Sequence, residues 1–167
     1  MSLIVIPSAA ARARTASTRL GGSLHVTAVI AVLQISRCFG DGGMSAASGG
    51  TGEIGDRGEH DQIVNAPLRA GDGSEAFREA MKVAILPRIE DFAPDLIVIS
   101  AGFDAHRLDP LGNLNLVEAD FAWVTRSVVE IAQRRCGGRI VSVLEGGYDL
   151  DALARSAAAH VLALMEG

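Results

Sequence analysis

Two aliphatic runs, Leu96-Ile97-Val98-Ile99-Ser100 and Ile140-Val141-Ser142-Val143-Leu144, bracket a stretch whose apolar residues recur at helical spacing. That alternation limits the fold of this chain more than any other feature of it. A short run that is apolar at every position suits a strand buried on both faces, as the strands of parallel sheets are. Between the runs, Phe121, Val124, Val128, Val129 and Ala132 fall on one face of a helix running from about Glu118 to Arg135. Gly137-Gly138 ends that helix. Strand, helix and strand joined by short connections form the βαβ unit of a parallel sheet covered by helices.

The same grammar extends on both sides. Ile63-Val64-Asn65-Ala66-Pro67-Leu68 reads as a short strand stopped by its proline. Ser74 can cap a helix that carries Phe77, Met81, Ala84, Ile85 and Ile89 at helical period, with Glu75 favoured in the first turn by the helix dipole. Pro87 removes one backbone donor there, so a kink or an early end is expected. After Leu144, the turn Glu145-Gly146-Gly147-Tyr148 leads into a last Ala/Leu-rich helix that starts at Asp149 or Asp151 and reaches Met165. Upstream, Val26 to Leu33 favours a strand by composition, although its length also allows a short helix. Residues 40–58, dense in Gly and Ser, read as a loop.

Bulk properties exclude several classes of function. The chain has 167 residues, 49% of them hydrophobic, which is enough for one well-filled core. A net charge of -5 argues against a nucleic-acid platform, which needs a basic stripe to displace counterions. The longest apolar stretch is too short to cross a bilayer, so no membrane partner is expected. Met1 to Ile6 lacks the basic flank and the length of a signal peptide. Cys38 and Cys136 lack CxxC spacing and suit a reduced, cytoplasmic setting.

In open parallel sheets, ligands bind beyond the carboxyl ends of the strands. The two aliphatic strands end in Ser100-Ala101-Gly102-Phe103-Asp104-Ala105-His106 and in Glu145-Gly146-Gly147-Tyr148-Asp149. Both deliver polar groups to one edge of the sheet. Asp104 can offer a carboxylate to a metal, and Tyr148, the sole tyrosine, a phenol to a polarised carbonyl. Each also has a plainer reading. Asp104 could cap the loop after a strand, and Tyr148 could be an ordinary half-buried aromatic. Asp109 shapes the turn before Pro110, and His160, on a helix among alanines, has a structural role.

These segments carry a resemblance. Ile99 to His106 followed by Asp109-Pro110-Leu111-Gly112 resembles the third zinc-ligand loop of histone deacetylases and acetylpolyamine amidohydrolases. Leu144-Glu145-Gly146-Gly147-Tyr148-Asp149-Leu150 resembles their catalytic-tyrosine turn. Asn65-Ala66-Pro67-Leu68, Gly73 to Phe77 and Leu116 to Phe121 match in the family's order, so the resemblance covers residues 50–167 and leaves 1–49 as a separate N-terminal segment. It implies an arginase/deacetylase-like α/β/α fold of three layers with a parallel sheet, in truncated form. It further implies a zinc ion with Asp104 as one ligand and Tyr148 as the catalytic donor to a developing oxyanion. Gly146, Gly147, Phe103 and His106 would line the substrate site, His106 at the pocket mouth. The substrate would be an acetylated amine such as acetyl-lysine or an acetylpolyamine.

The family draws its other two zinc ligands from an upstream Asp-x-His motif and its general base from a neighbouring His pair. Residues 1–49 hold one His (His25), one Asp (Asp41) and neither motif. The expectation is therefore a chain that is truncated or altered in its first third. Three functional readings follow. The first is a zinc-dependent deacetylase. The second is a non-catalytic remnant or interaction module without zinc, which would self-associate through sheet edges left open. The third, a nucleotide-binding α/β domain, suffers because no GxGxxG or GxxxxGK[ST] follows a strand. One departure offers a test: Val117 stands where the family often has Thr, which would complete a capping box with Asp120.

Overall fold

The computed structural model describes residues 2–6, 28–33 and 63–167. Five strands form one sheet: β1 (Ser2–Ile6), β2 (Ala28–Leu33), β3 (Ile63–Asn65), β4 (Leu96–Ala101) and β5 (Ile140–Leu144), in the order β3-β1-β2-β4-β5. The helices are α1 (Ser74–Ala80), a π-helical turn (Met81–Ile85), α2 (Leu86–Phe92), α3 (Glu118–Cys136) and α4 (Leu150–Met165). The expected βαβ unit is β4-α3-β5, with the two strands parallel and Ile99 opposite Ser142. β2 also runs parallel to β4, so the Ala28–Leu33 part of the ambiguous run is a strand.

The sheet is not purely parallel. β1, a strand that the sequence reading did not assign, pairs antiparallel with both β2 and β3. An antiparallel partner needs no crossover helix, so a five-residue, mostly aliphatic strand can join the sheet without the βαβ signature. β3 is shorter than the run from Ile63 to Leu68 suggests and ends before Pro67. The Gly-rich stretch 40–58, His25, Cys38 and His60 lie outside the described residues.

Packing explains the irregular helix. Phe77, Met81, Ile85 and Ile89 recur every four residues and are all buried. An α-helix advances about 40° past a full turn for every four residues, so such a row would drift off the core face. The π turn Met81–Ile85 is wider and resets the row, with the Leu86 N–H bonding back to Met81. Pro87 sits in the first turn of α2, where its missing N–H is tolerated. The helix therefore neither stops nor breaks at Pro87; it widens just before it and continues to Phe92.

Ser74 is the first helical residue rather than the cap, a place that Gly73 takes. The Ser74 hydroxyl instead donates to Asp120 Oδ2 at 2.6 Å. Asp120 is fully buried, and its other oxygen accepts from Arg78 Nε at 2.9 Å. Its carboxylate also takes the Val117 N–H at 3.1 Å, which fixes the start of α3 where the sequence placed it. One buried acid thus pins α1 to α3.

Ile97, Ile99 and Ala101 of β4 form one core with Phe121, Val124, Val128 and Ile131 of α3 and the row from α1 to α2. Burying side chains of this size contributes about 1.5–3 kcal/mol each. Of the three layers expected, the described residues supply the sheet and the helical layer on this face. β5 departs from its expected burial: Val141, Val143 and Leu144 are exposed. It stands at the end of the sheet, and Val141 and Val143 alternate away from the helices.

Candidate active site

The carboxyl ends of β4 and β5 are tied by two backbone hydrogen bonds, Glu145 N–H to Ala101 at 2.9 Å and Phe103 N–H to Gly146 at 2.7 Å. This ladder sets the loop after β4 directly against the turn after β5. The juxtaposition is tightest at Gly146, where an added Cβ would stand 3.3 Å from the carboxyl carbon of Asp104. Any larger residue at 146 would press on the acid, so glycine suits this close approach. Gly147 has φ +138°, a conformation that favours glycine. Tyr148 follows, more than half exposed, and Asp149 then caps α4 by accepting from Ala152 N–H at 2.8 Å.

Asp104 is partly buried, and its Oδ1 has no hydrogen-bond partner. Burial pushes its carboxyl above the ordinary aspartate range, and the nearby charge of Asp109 adds to the shift. A carboxylate with one oxygen left without a partner is destabilised in its charged form, although a backbone N–H offsets part of this, and a cation or proton at that oxygen would relieve it. A metal ligand would show this chemistry. A zinc site, however, needs about three protein donors. Among the described residues, no group of three or more His, Cys, Asp or Glu side chains could hold a metal ion. The described donors therefore do not make a zinc site on their own.

Phe103 and His106 are both buried, so neither presents its side chain to solvent. Phe103 is buried edge-on against Phe121 and His160, with ring centroids 5.3 and 5.7 Å away. His106 is 1% exposed, far from the pocket-mouth position expected for it. The loop folds back there, with Arg107 N–H on Leu116 and Leu116 N–H on Ala105, and encloses the ring. His106 Nδ1 accepts from Leu108 N–H at 3.2 Å, and Nε2 lies 3.5 Å from Glu118. Glu118 itself is held by Arg155 at 2.6 Å, and that hydrogen bond foremost lowers its carboxyl to about 2.

Two features escaped the sequence reading. The first is Asp109, read only as a turn residue. It is buried, and it accepts from Leu111 N–H at 2.9 Å on one oxygen and from Tyr148 N–H at 2.6 Å on the other. Its separation of 39 residues from Tyr148 leaves no local signal in the sequence. The second is the set of partners around His160, which is buried as its alanine-rich setting suggested. Thr125 donates to the Phe121 carbonyl at 2.6 Å, so its oxygen is free to accept from His160 Nδ1–H at 2.7 Å. Ser142 then donates to Nε2 at 2.8 Å. This assignment ties β5, α3 and α4 together around a neutral imidazole, whose proton affinity burial lowers. Cys136 is buried at the end of α3, as a packing residue would be.

No helix among the described residues is long and apolar enough to cross a membrane. Comparison with known proteins gives consistent matches. Residues 45–164 match the family model described as the histone deacetylase domain. The chain is 41% identical over 119 residues to the chloroplastic histone deacetylase 14 of Arabidopsis thaliana, covering 70% of this chain and 28% of that protein. It is 42% identical over 108 residues to the histone deacetylase-like amidohydrolase of Pseudomonas aeruginosa, covering 65% and 28%. The crystal structure of the HDA15 HD domain superposes with a TM-score of 0.66 at 35% identity, covering 71% of this chain and 33% of that one. The chain spans about a third or less of the length of the curated relatives it matches. Its sheet and helices are a partial arginase/deacetylase-like α/β/α fold. With its Asp104 loop and Tyr148 turn set together at one sheet edge, the chain belongs to the histone deacetylase family and represents a segment of that domain.

Proposed function

We propose that this chain contributes the Asp104 and Tyr148 part of a zinc-dependent amidohydrolase site that removes acetyl groups from acetyl-lysine or acetylpolyamine-type amines. The observation that carries the proposal is the close approach of the Gly146 turn to the Asp104 carboxyl group, which brings Tyr148 near an acid with one orphaned oxygen. In this reading Tyr148 donates its phenolic hydrogen to the carbonyl oxygen as negative charge develops there, the role of a fixed oxyanion donor. Gly146 and Gly147 leave room for the substrate backbone. Asp104 offers one donor to the zinc ion, whose remaining ligands come from outside the described residues. Phe103 and His106 support the loop from within. The isolated thiols support a reduced, cytoplasmic setting.

The experiment is hydrolysis of an acetyl-lysine peptide by the purified chain with added zinc. Tyr148→Phe keeps the ring and removes the donor, so a loss of about 10²–10³ in rate is expected. Hydrolysis that is unchanged in the variant would exclude the role of Tyr148. The second reading, a non-catalytic interaction module, is favoured by one observation: the described residues hold no group of three or more His, Cys, Asp or Glu side chains that could bind a metal ion. No hydrolysis at any zinc concentration would select it.

A further inference from the structure

We infer that Asp109 is the positioning residue of this site, a buried carboxylate that clamps the Tyr148 turn to the Asp104 loop. The inference rests on the reading of Tyr148 as the oxyanion donor, and deepens it by naming what holds that donor in place. Asp109 Oδ2 accepts both the Tyr148 N–H at 2.6 Å and the Asp149 N–H at 3.3 Å. Oδ1 accepts the Leu111 N–H at 2.9 Å, within the loop that carries Asp104. Asp109 N–H is in turn fixed on the His106 carbonyl at 2.8 Å. Next along the loop, Gly112 is seated directly on the Asp104 carbonyl. Beside the backbone ladder between the ends of β4 and β5, Asp109 therefore adds a side-chain link that reaches from the Asp104 loop to the backbone of Tyr148 itself.

The chemistry suits the task. A carboxylate that accepts backbone N–H groups forms charge-assisted bonds, shorter and stronger than neutral ones. The two N–H groups on Oδ2 lie at the start of α4, where the helix dipole favours an anion. Tyr148 has few other restraints, since its side chain is more than half exposed. Burial of Asp109 keeps water from competing for the same N–H groups. An oxyanion donor must be fixed before the reaction, and a misplacement of about 1 Å can cost about 10²-fold in rate.

The chain contains one tyrosine and one tryptophan, which makes a direct test possible. Selective ¹⁵N labelling of both residues gives one amide signal for Tyr148 and one for Trp123, which lies within α3. Hydrogen exchange of the two amides is then compared between the natural chain and Asp109→Asn, without zinc or substrate. The clamp predicts that the Tyr148 amide exchanges about tenfold or more faster in the variant, while Trp123 exchange is unchanged. Equal acceleration of both amides would make Asp109 a general stabiliser and overturn the proposal, as would an unchanged Tyr148. If the variant fails to fold, the natural chain decides: a Tyr148 amide exchanging at the rate of an unstructured peptide excludes the clamp. Because no activity enters the readout, failure of the deacetylase reading would leave this result standing, and the reverse.

Discussion

Asp104, His160 and Val117 show how much single side chains control in this molecule. Asp104 keeps an orphaned oxygen in a site that raises its proton affinity, so its charged form is tolerated rather than favoured. His160 is the opposite kind of group, a neutral imidazole with both nitrogens bonded. Its proton affinity is lowered by burial, so the unfolded chain binds a proton more readily than the folded one. The stability it contributes is therefore complete above the ordinary histidine range and is lost as pH falls through that range. Thermal unfolding between pH 7.5 and 5 should show this decline, and His160→Gln should flatten it; an equally steep decline in the variant would rule His160 out as its source. Val117 heads α3 with half of a capping box, since Asp120 accepts its N–H but valine has no side-chain acceptor in return. Val117→Thr should stabilise the fold by about 1 kcal/mol. An unchanged or lower melting temperature would contradict that gain.

Elements were legible in proportion to how far local pattern alone determines them. α3 and α4 begin where their acidic first turns and caps placed them, and β4 and β5 lie within a residue of their aliphatic runs. The π turn was not legible, because a row at every fourth residue reads as ordinary helical spacing until the drift is added up over three steps. The antiparallel place of β1 was not legible either, since pairing partners are chosen across the chain and not within the strand. β5 read as buried because its residues are aliphatic throughout, yet burial depends on what covers the sheet. Its exposed Val141, Val143 and Leu144, at a sheet end, form a surface that a second copy could pair with or pack on. Self-association through β5 is the expected outcome in solution scattering, and Val143→Lys should shift the chain toward monomer. A natural chain that is monodisperse and monomeric at high concentration would remove this proposal.

At the scale of the whole molecule, family and fold follow from several motifs in the right order, and the matched model over residues 45–164 agrees with that reading. The candidate site was legible only in its contiguous parts. Asp104 and Tyr148 stand out by sequence because each follows a strand, whereas Asp109 acts across 39 residues and His106 turns inward with its loop. The shape of the site thus depends on the long-range ladder between the ends of β4 and β5. The proposed site requires Asp104 as a metal donor beside Tyr148. Zinc content of the purified chain, compared with Asp104→Ala by elemental analysis after dialysis against trace zinc, tests this most directly. Stoichiometric zinc in the natural chain and its loss in the variant is the predicted result. Zinc absent from both, or retained unchanged in the variant, would contradict it.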